Sequence, residues 1–293
     1  MTGREVNRTV CLAVACLVAW SVLVAEVQAN GFQAGDRWVA IGDSITHGRR
    51  YHSFLYLFYA TRHPDREFSM ANCGISGDSA GGAVQRFRWD IGVHHPTVAT
   101  IMLGMNDVGR GLYAPGQTGP EVEQRREQCI EGHVVNMTRL AELLTAEGCR
   151  ILFITPSIYD QTGDITAENC FGVNDALAYC GRRVAALAPR FNAQVIDLHG
   201  PMTALNTALQ VSDPRYTLVG PDRVHPGDVG QFIMAYFILR GMEADGTVAT
   251  MGLDARVGRA VQQENCTITE VETSATGIRF TCLEKALPYP VLP

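Results

Sequence analysis

The stretch RWVAIGDSITHG, residues 37–48, decides how this chain is read. Its first half is a short apolar run without the alternation of a half-exposed antiparallel strand, and such runs suit strands covered on both faces. It ends in Gly-Asp-Ser, so a hydroxyl arrives just where the strand stops. Further runs share that character: FSMANCG (68–74), TVATIMLG (97–104), RILFITP (150–156) and AQVIDLH (193–199). Segments with helical character lie between them, roughly 49–62, 79–91, 120–147 and 174–190. In VVNMTRLAELLTAEG (134–148) apolar residues recur every three or four positions until Gly148 stops the pattern. A last helix is expected after Pro226, through GDVGQFIMAYFILRGM (227–242). Strands alternating with helices imply an α/β domain of three layers, with a five-stranded parallel sheet between its helices.

Outside this pattern the two ends of the chain differ from the middle. Residues 1–8 carry two Arg against one Glu, and TVCLAVACLVAWSVLVA (9–25) is free of charge. Small residues follow, with Val27 and Ala29 placed for cleavage, so residues 1–29 read as a secretory signal peptide. The expected location is secreted or periplasmic, with no stable membrane insertion after cleavage. An uncleaved membrane anchor is the alternative, because the apolar run is long for a signal. Residues 30–252 then form the main domain and 253–293 a C-terminal extension. Within that extension, CTITEVETSATGIRFTC (266–282) alternates about a Gly-containing turn and predicts a β-hairpin.

Composition narrows the function. The 293 residues carry a net charge of −6, and basic residues are scattered, with Lys285 the single lysine. No basic stripe with interleaved aromatics exists, which argues against a nucleic-acid partner. The absence of H-E-x-x-H and of G-x-x-x-x-G-K-[ST] leaves no reason to expect a metal, a nucleotide or any other cofactor. Of the seven cysteines beyond the leader, the close pairs 170/180 and 266/282 are the expected bridges in an exported chain, and the odd number leaves one over.

In an open parallel sheet, ligands bind beyond the carboxyl ends of the strands. Asp43 and Ser44 follow the first strand, Asn72 and Gly74 the second, and Asn106 and Asp107 the third. After the fifth strand and a long loop comes PDRVHPGD (221–228), with Asp222 and His225. These groups supply what acyl transfer requires. Ser44 is a weak nucleophile until a base takes its proton, and His225 is the natural base. Asp222 can fix the tautomer of that imidazole. The Ser44 and Gly74 backbone N–H groups and the Asn106 side-chain amide are the expected donors to an oxyanion.

The ordered set GDSIT, NCGISG, GMND and DRVHP resembles the SGNH (GDSL-type) hydrolase superfamily, over residues about 37–240. The resemblance implies a flavodoxin-like sheet and a serine esterase using no cofactor. It places the nucleophile at Ser44, oxyanion donors at Gly74 and Asn106, and the Asp-x-x-His pair at Asp222 and His225.

A second Gly-Asp-Ser competes for the same role. GDSAGG (77–82) matches the nucleophile elbow G-x-S-x-G, but Ser79 lies several residues beyond its strand and is expected to cap a helix. Ser76 is a further cap candidate, and Asp43 and Asp107 are expected to bond loop amides. His47 is expected on a helix face, and His94 and His95 at the opposite edge of the sheet. The polar loops GRGLYAPGQTG (109–119) and SIYDQTGDITAENCFG (157–172) carry scattered aromatics, which suit sugar rings. The substrate expected from this is a short-chain or acetyl ester on a small molecule or polysaccharide. A lipid esterase is the alternative, and a non-catalytic carbohydrate-binding protein on the same fold is the other class.

Overall fold

Each of the five apolar runs becomes a strand, the three central ones buried almost throughout and the two edge strands half-buried. A computed structural model describes residues 31–48 and 50–289. The expected signal peptide lies outside the described residues. Strand β1 (Arg37–Gly42) leads into the short helix α1 (Ser44–His47), then α2 (Tyr51–Arg62) and β2 (Ser69–Gly74). Helix α3 (Ala80–Arg86) precedes β3 (Val98–Met102), and α4 (Pro120–Ala146) precedes β4 (Arg150–Ile154). Helix α5 (Val173–Ala185), strand β5 (Gln194–Ile196), α6 (His199–Gln210) and α7 (Asp228–Gly241) complete this part.

The sheet is parallel, in the order β2-β1-β3-β4-β5. That is the flavodoxin-like order, whose direction of winding reverses between β1 and β3. Alternate residues of one strand feed two separate cores. Trp38 and Ala40 of β1, with Leu152 and Ile154 of β4, pack against α2, α6 and α7. Val39 and Ile41, with Ile151 and Phe153, pack against α3, α4 and the end of α5. The buried Trp38 indole donates to Thr100 Oγ1 at 2.9 Å, so its polar edge is satisfied inside the core. A third cluster, including Met105, Val108, Leu177 and Val224, lies under the loops at the carboxyl edge and supports them.

Helix α6 was not expected from the sequence. Its start, His199-Gly200-Pro201, has the composition of a turn, yet proline is tolerated in a first helical turn because its missing N–H has no partner there anyway. Beyond α7 the chain forms two antiparallel pairs where one hairpin was expected, the first starting at Thr250. Strands β6 (Thr250–Asp254) and β7 (Arg259–Glu264) pair antiparallel, as do β8 (Cys266–Ser274) and β9 (Gly277–Glu284). Beyond β9 the chain returns to α2, where the Leu287 N–H donates to Thr61 O at 2.8 Å and Arg62 bonds Leu287 O.

The cysteine expectation is corrected. All seven described cysteines are free thiols. Cys180 is fully buried on the inner face of α5 while Cys170 belongs to the preceding loop. In the hairpin, Cys282 faces Ile268 and Cys266 faces Glu284, so the two free thiols sit diagonally, two residues out of register, and touch as neighbours. No helix among the described residues is long and apolar enough to cross a membrane.

Candidate active site

At the carboxyl end of β1 the chain turns at once into α1, and Asp43 caps that helix by accepting from the Ile45 N–H at 3.0 Å. Because Asp43 supplies the cap, the Ser44 hydroxyl is left over. It meets His225 Nε2 at 2.7 Å, across 181 residues of sequence. His225 Nδ1 lies 2.5 Å from Asp222 Oδ2. The other carboxylate oxygen, Oδ1, accepts from the Val224 and His225 backbone N–H groups at 3.0 Å each, so the turn fixes its own acid. Burial raises the Asp222 pKa, but hydrogen bonds from the His225 ring and from these backbone groups outweigh it and hold the carboxyl below its usual range. A hydroxyl, an imidazole and a carboxylate in such a chain can move a proton off the hydroxyl.

The turn bearing Asp222 and His225 is held from beneath by Arg223, which the sequence did not single out. Arg223 is 4% exposed and takes a left-handed backbone with φ of 68°. Non-glycine residues adopt that region at a cost, and compensation comes from elsewhere. Its guanidinium donates to the carbonyls of Asp160, Gly163, Ile165 and Ala167, at 2.8 to 3.1 Å. No local signal in Asp-Arg-Val-His announces this, since every acceptor lies in the loop after β4.

The expected donors Gly74 and Asn106 each have a present partner. The Gly74 N–H donates to Asn72 Oδ1 at 2.9 Å, and Asn106 Nδ2 donates to Asp78 O at 2.8 Å. The Asn106 amide keeps a second hydrogen, and the Ser44 N–H belongs to the first turn of α1, where donors have no intrahelical acceptor. Packing accounts for the glycine at 74. A Cβ there would lie 2.5 Å from His47 N, so the close packing of β2 on α1 demands glycine.

Behind these groups lies a buried polar layer. Asp107 Oδ1 accepts from the Ala80 N–H at 2.9 Å and faces His133 Nδ1 at 3.2 Å. Asp78 pairs with Arg86 at 2.8 Å, and Arg86 also donates to Cys73 O at 2.7 Å. Asp43 is 3% exposed, and burial pushes its pKa up to about 6 against the pull of the Ile45 N–H. Ser79 caps α3, its hydroxyl accepting from the Gly82 N–H at 3.3 Å. Ser76 does not cap a helix: its hydroxyl lies 3.0 Å from His47 Nδ1. His94 and His95 are exposed ahead of β3, at the opposite edge of the sheet.

Residues 40–232 match the model of the GDSL-like lipase/acylhydrolase family. An acetylxylan esterase of Geobacillus stearothermophilus is 24% identical over 223 residues, covering 71% of this chain and 94% of that protein. A solved structure of that esterase superposes with a TM-score of 0.58 at 22% identity, over 73% of this chain and 97% of the other. A gut microbial diltiazem-metabolizing enzyme superposes with a TM-score of 0.81 at 35% identity, over 89% of this chain. This chain spans 59% of that longer protein. The chain belongs to the GDSL-like lipase/acylhydrolase family, the ester-hydrolysing serine enzymes whose five-stranded fold it carries.

Proposed function

We propose that this chain is an exported serine esterase that removes short acyl groups, chiefly acetyl, from carbohydrate through an acyl-enzyme. The observation that carries the proposal is the unbroken chain Ser44–His225–Asp222 at the carboxyl end of β1. In this reading Ser44 attacks the ester carbonyl while His225 Nε2 takes its proton. Asp222 stabilises the imidazolium. The oxyanion receives the Ser44 N–H and the second Asn106 hydrogen, with the Gly74 N–H joining as Asn72 yields it. His225 returns the proton to the departing alcohol, the carbon–oxygen bond breaks, and water repeats the sequence to release the acid. Among the Geobacillus esterase structures, the catalytic mutants replace a serine, an aspartate and a histidine, the last two three positions apart. Asp222 and His225 have that same spacing.

Carbohydrate is favoured over a lipid chain by the shape of the surroundings. The side chains of His225 and Asp222 are 48% and 51% exposed, so the site is open to a bulky polar substrate. An apolar groove of about 290 Å³ between α2, α7 and Tyr289 contains none of the proposed site residues. Export rests on the charge and hydrophobic pattern of residues 1–29.

Hydrolysis of p-nitrophenyl acetate against p-nitrophenyl octanoate is the test. The acetate is expected to be cleaved with the higher kcat/KM. Faster octanoate turnover would replace carbohydrate by lipid, and no turnover of either ester would end the enzyme reading.

A further inference from the structure

A cavity of about 570 Å³ opens beside Asn106, between the loop after β3 and the first turns of α4. It is within the size range of small-molecule sites. Its polar wall comes from Asn106, Gln117, Arg110 and Arg125. Neither of these arginines forms an ion pair or hydrogen bond among the described residues, whereas their neighbours do. Arg126, next in sequence to Arg125, pairs with Glu123 and donates to Leu112 O at 2.7 Å and Gln117 O at 3.3 Å, while stacking on Tyr113 at 4.2 Å. Arg126 thus fixes the loop that carries Arg110 and leaves the two cavity arginines unspent. In a chain of net charge −6, two unpaired guanidinium groups beside one donor of the site form a local positive field against the overall sign.

We infer that this cavity is a subsite for a carboxylate on the substrate, so that the preferred ester is an acyl group on or next to a carboxylate-bearing sugar. The inference rests on the esterase reading and adds the charge of the substrate. Guanidinium groups present planar, paired donors that match a carboxylate, and Asn106 belongs both to this wall and to the proposed oxyanion site. An ester whose oxyanion reaches Asn106 therefore places its neighbouring ring substituents over Arg110 and Arg125. Gln117 supplies a neutral partner for sugar hydroxyls. The exposed carboxylates of Glu121 and Glu127 share the first turns of α4 with Arg125 but do not line the cavity.

The test compares an acetylated methyl glucuronoside as the free acid with the same compound as its carboxyl methyl ester. The full chain is expected to favour the acid in kcat/KM by about tenfold, the effect of one good charge-assisted hydrogen bond. In the double variant Arg110→Gln/Arg125→Gln the ratio is expected to fall to about one. The ratio is taken within each protein, so partial misfolding of the variant cancels. Equal rates on acid and methyl ester in the parent chain, or an unchanged ratio in the double variant, would overturn the subsite. Faster deacylation of lysophosphatidylglycerol than of the acid sugar would overturn the carbohydrate and assign the arginines to a lipid phosphate. If p-nitrophenyl acetate is not cleaved at all, the esterase reading fails and takes this inference with it. Cleavage of that ester without acid preference removes the inference alone.

Discussion

Gly42-Asp43-Ser44 and Gly77-Asp78-Ser79 have the same three residues, and each begins a helix beyond a strand of the same sheet. They differ by one residue in capping frame. At the first, Asp43 is the N-cap and Ser44 already belongs to α1, so the hydroxyl is free to meet His225. At the second, Ser79 is itself the N-cap and its hydroxyl is taken by Gly82. The aspartates diverge as well. Asp78 is neutralised by Arg86, whereas Asp43 is buried with no ion pair among the described residues and its carboxyl is pushed up to about 6. Which residue caps the helix decides which hydroxyl remains for chemistry, and a match to a tripeptide cannot reveal that.

Exchange at the two serines should give the largest contrast. Ser44→Ala is expected to lower kcat on p-nitrophenyl acetate by about 10⁴–10⁶, the loss seen when a triad nucleophile is removed. Ser79→Ala should stay within about twofold, since a cap contributes to stability and not to the reaction. Equal losses at both positions would erase the distinction.

The aspartates give the next largest difference. Folded Asp43 holds its proton up to about pH 6, against 3.8 as its ordinary value. Its contribution to stability is therefore full below the lower value and is lost as pH rises through the upper one. The size over that window is about 3 kcal/mol. Asp43→Asn keeps an oxygen for the Ile45 N–H and removes the titration. Urea unfolding at a series of pH values should show the variant gaining on the parent between about pH 4 and 6. Parallel curves would refute the burial argument. The smallest effect is on stability at the second turn: Ser79→Ala should cost about 1 kcal/mol by the same unfolding measurement. A loss near zero would mean that Ser79 does not hold α3.

Much of this was legible because it is local. Five apolar runs sit between turn signals, and strands buried on both faces produce just such runs. Asp222 and His225 are three residues apart, so a single turn brings carboxylate and imidazole together. The two-stranded pairing of β6 and β7 escaped because both strands are short, β6 is only half-buried, and β7, RAVQQE, is mostly exposed and shows no apolar alternation. The bond from Asn72 to Gly74 and the carbonyl contacts of Arg223 depend on where side chains point, which spacing does not encode. The 170/180 pair misled for a related reason: proximity in sequence says nothing about which face of α5 a thiol occupies.

Arg223 also bears on how this site could be remodelled. Its four carbonyl acceptors all belong to residues 160–167, so the loop after β4 and the turn that bears His225 form one mechanical piece. A graft that exchanges that loop to alter substrate choice must reproduce the same set of carbonyls, or the histidine shifts with it. Recombination at this edge of the sheet is therefore permitted in whole modules, with loop and turn inherited together.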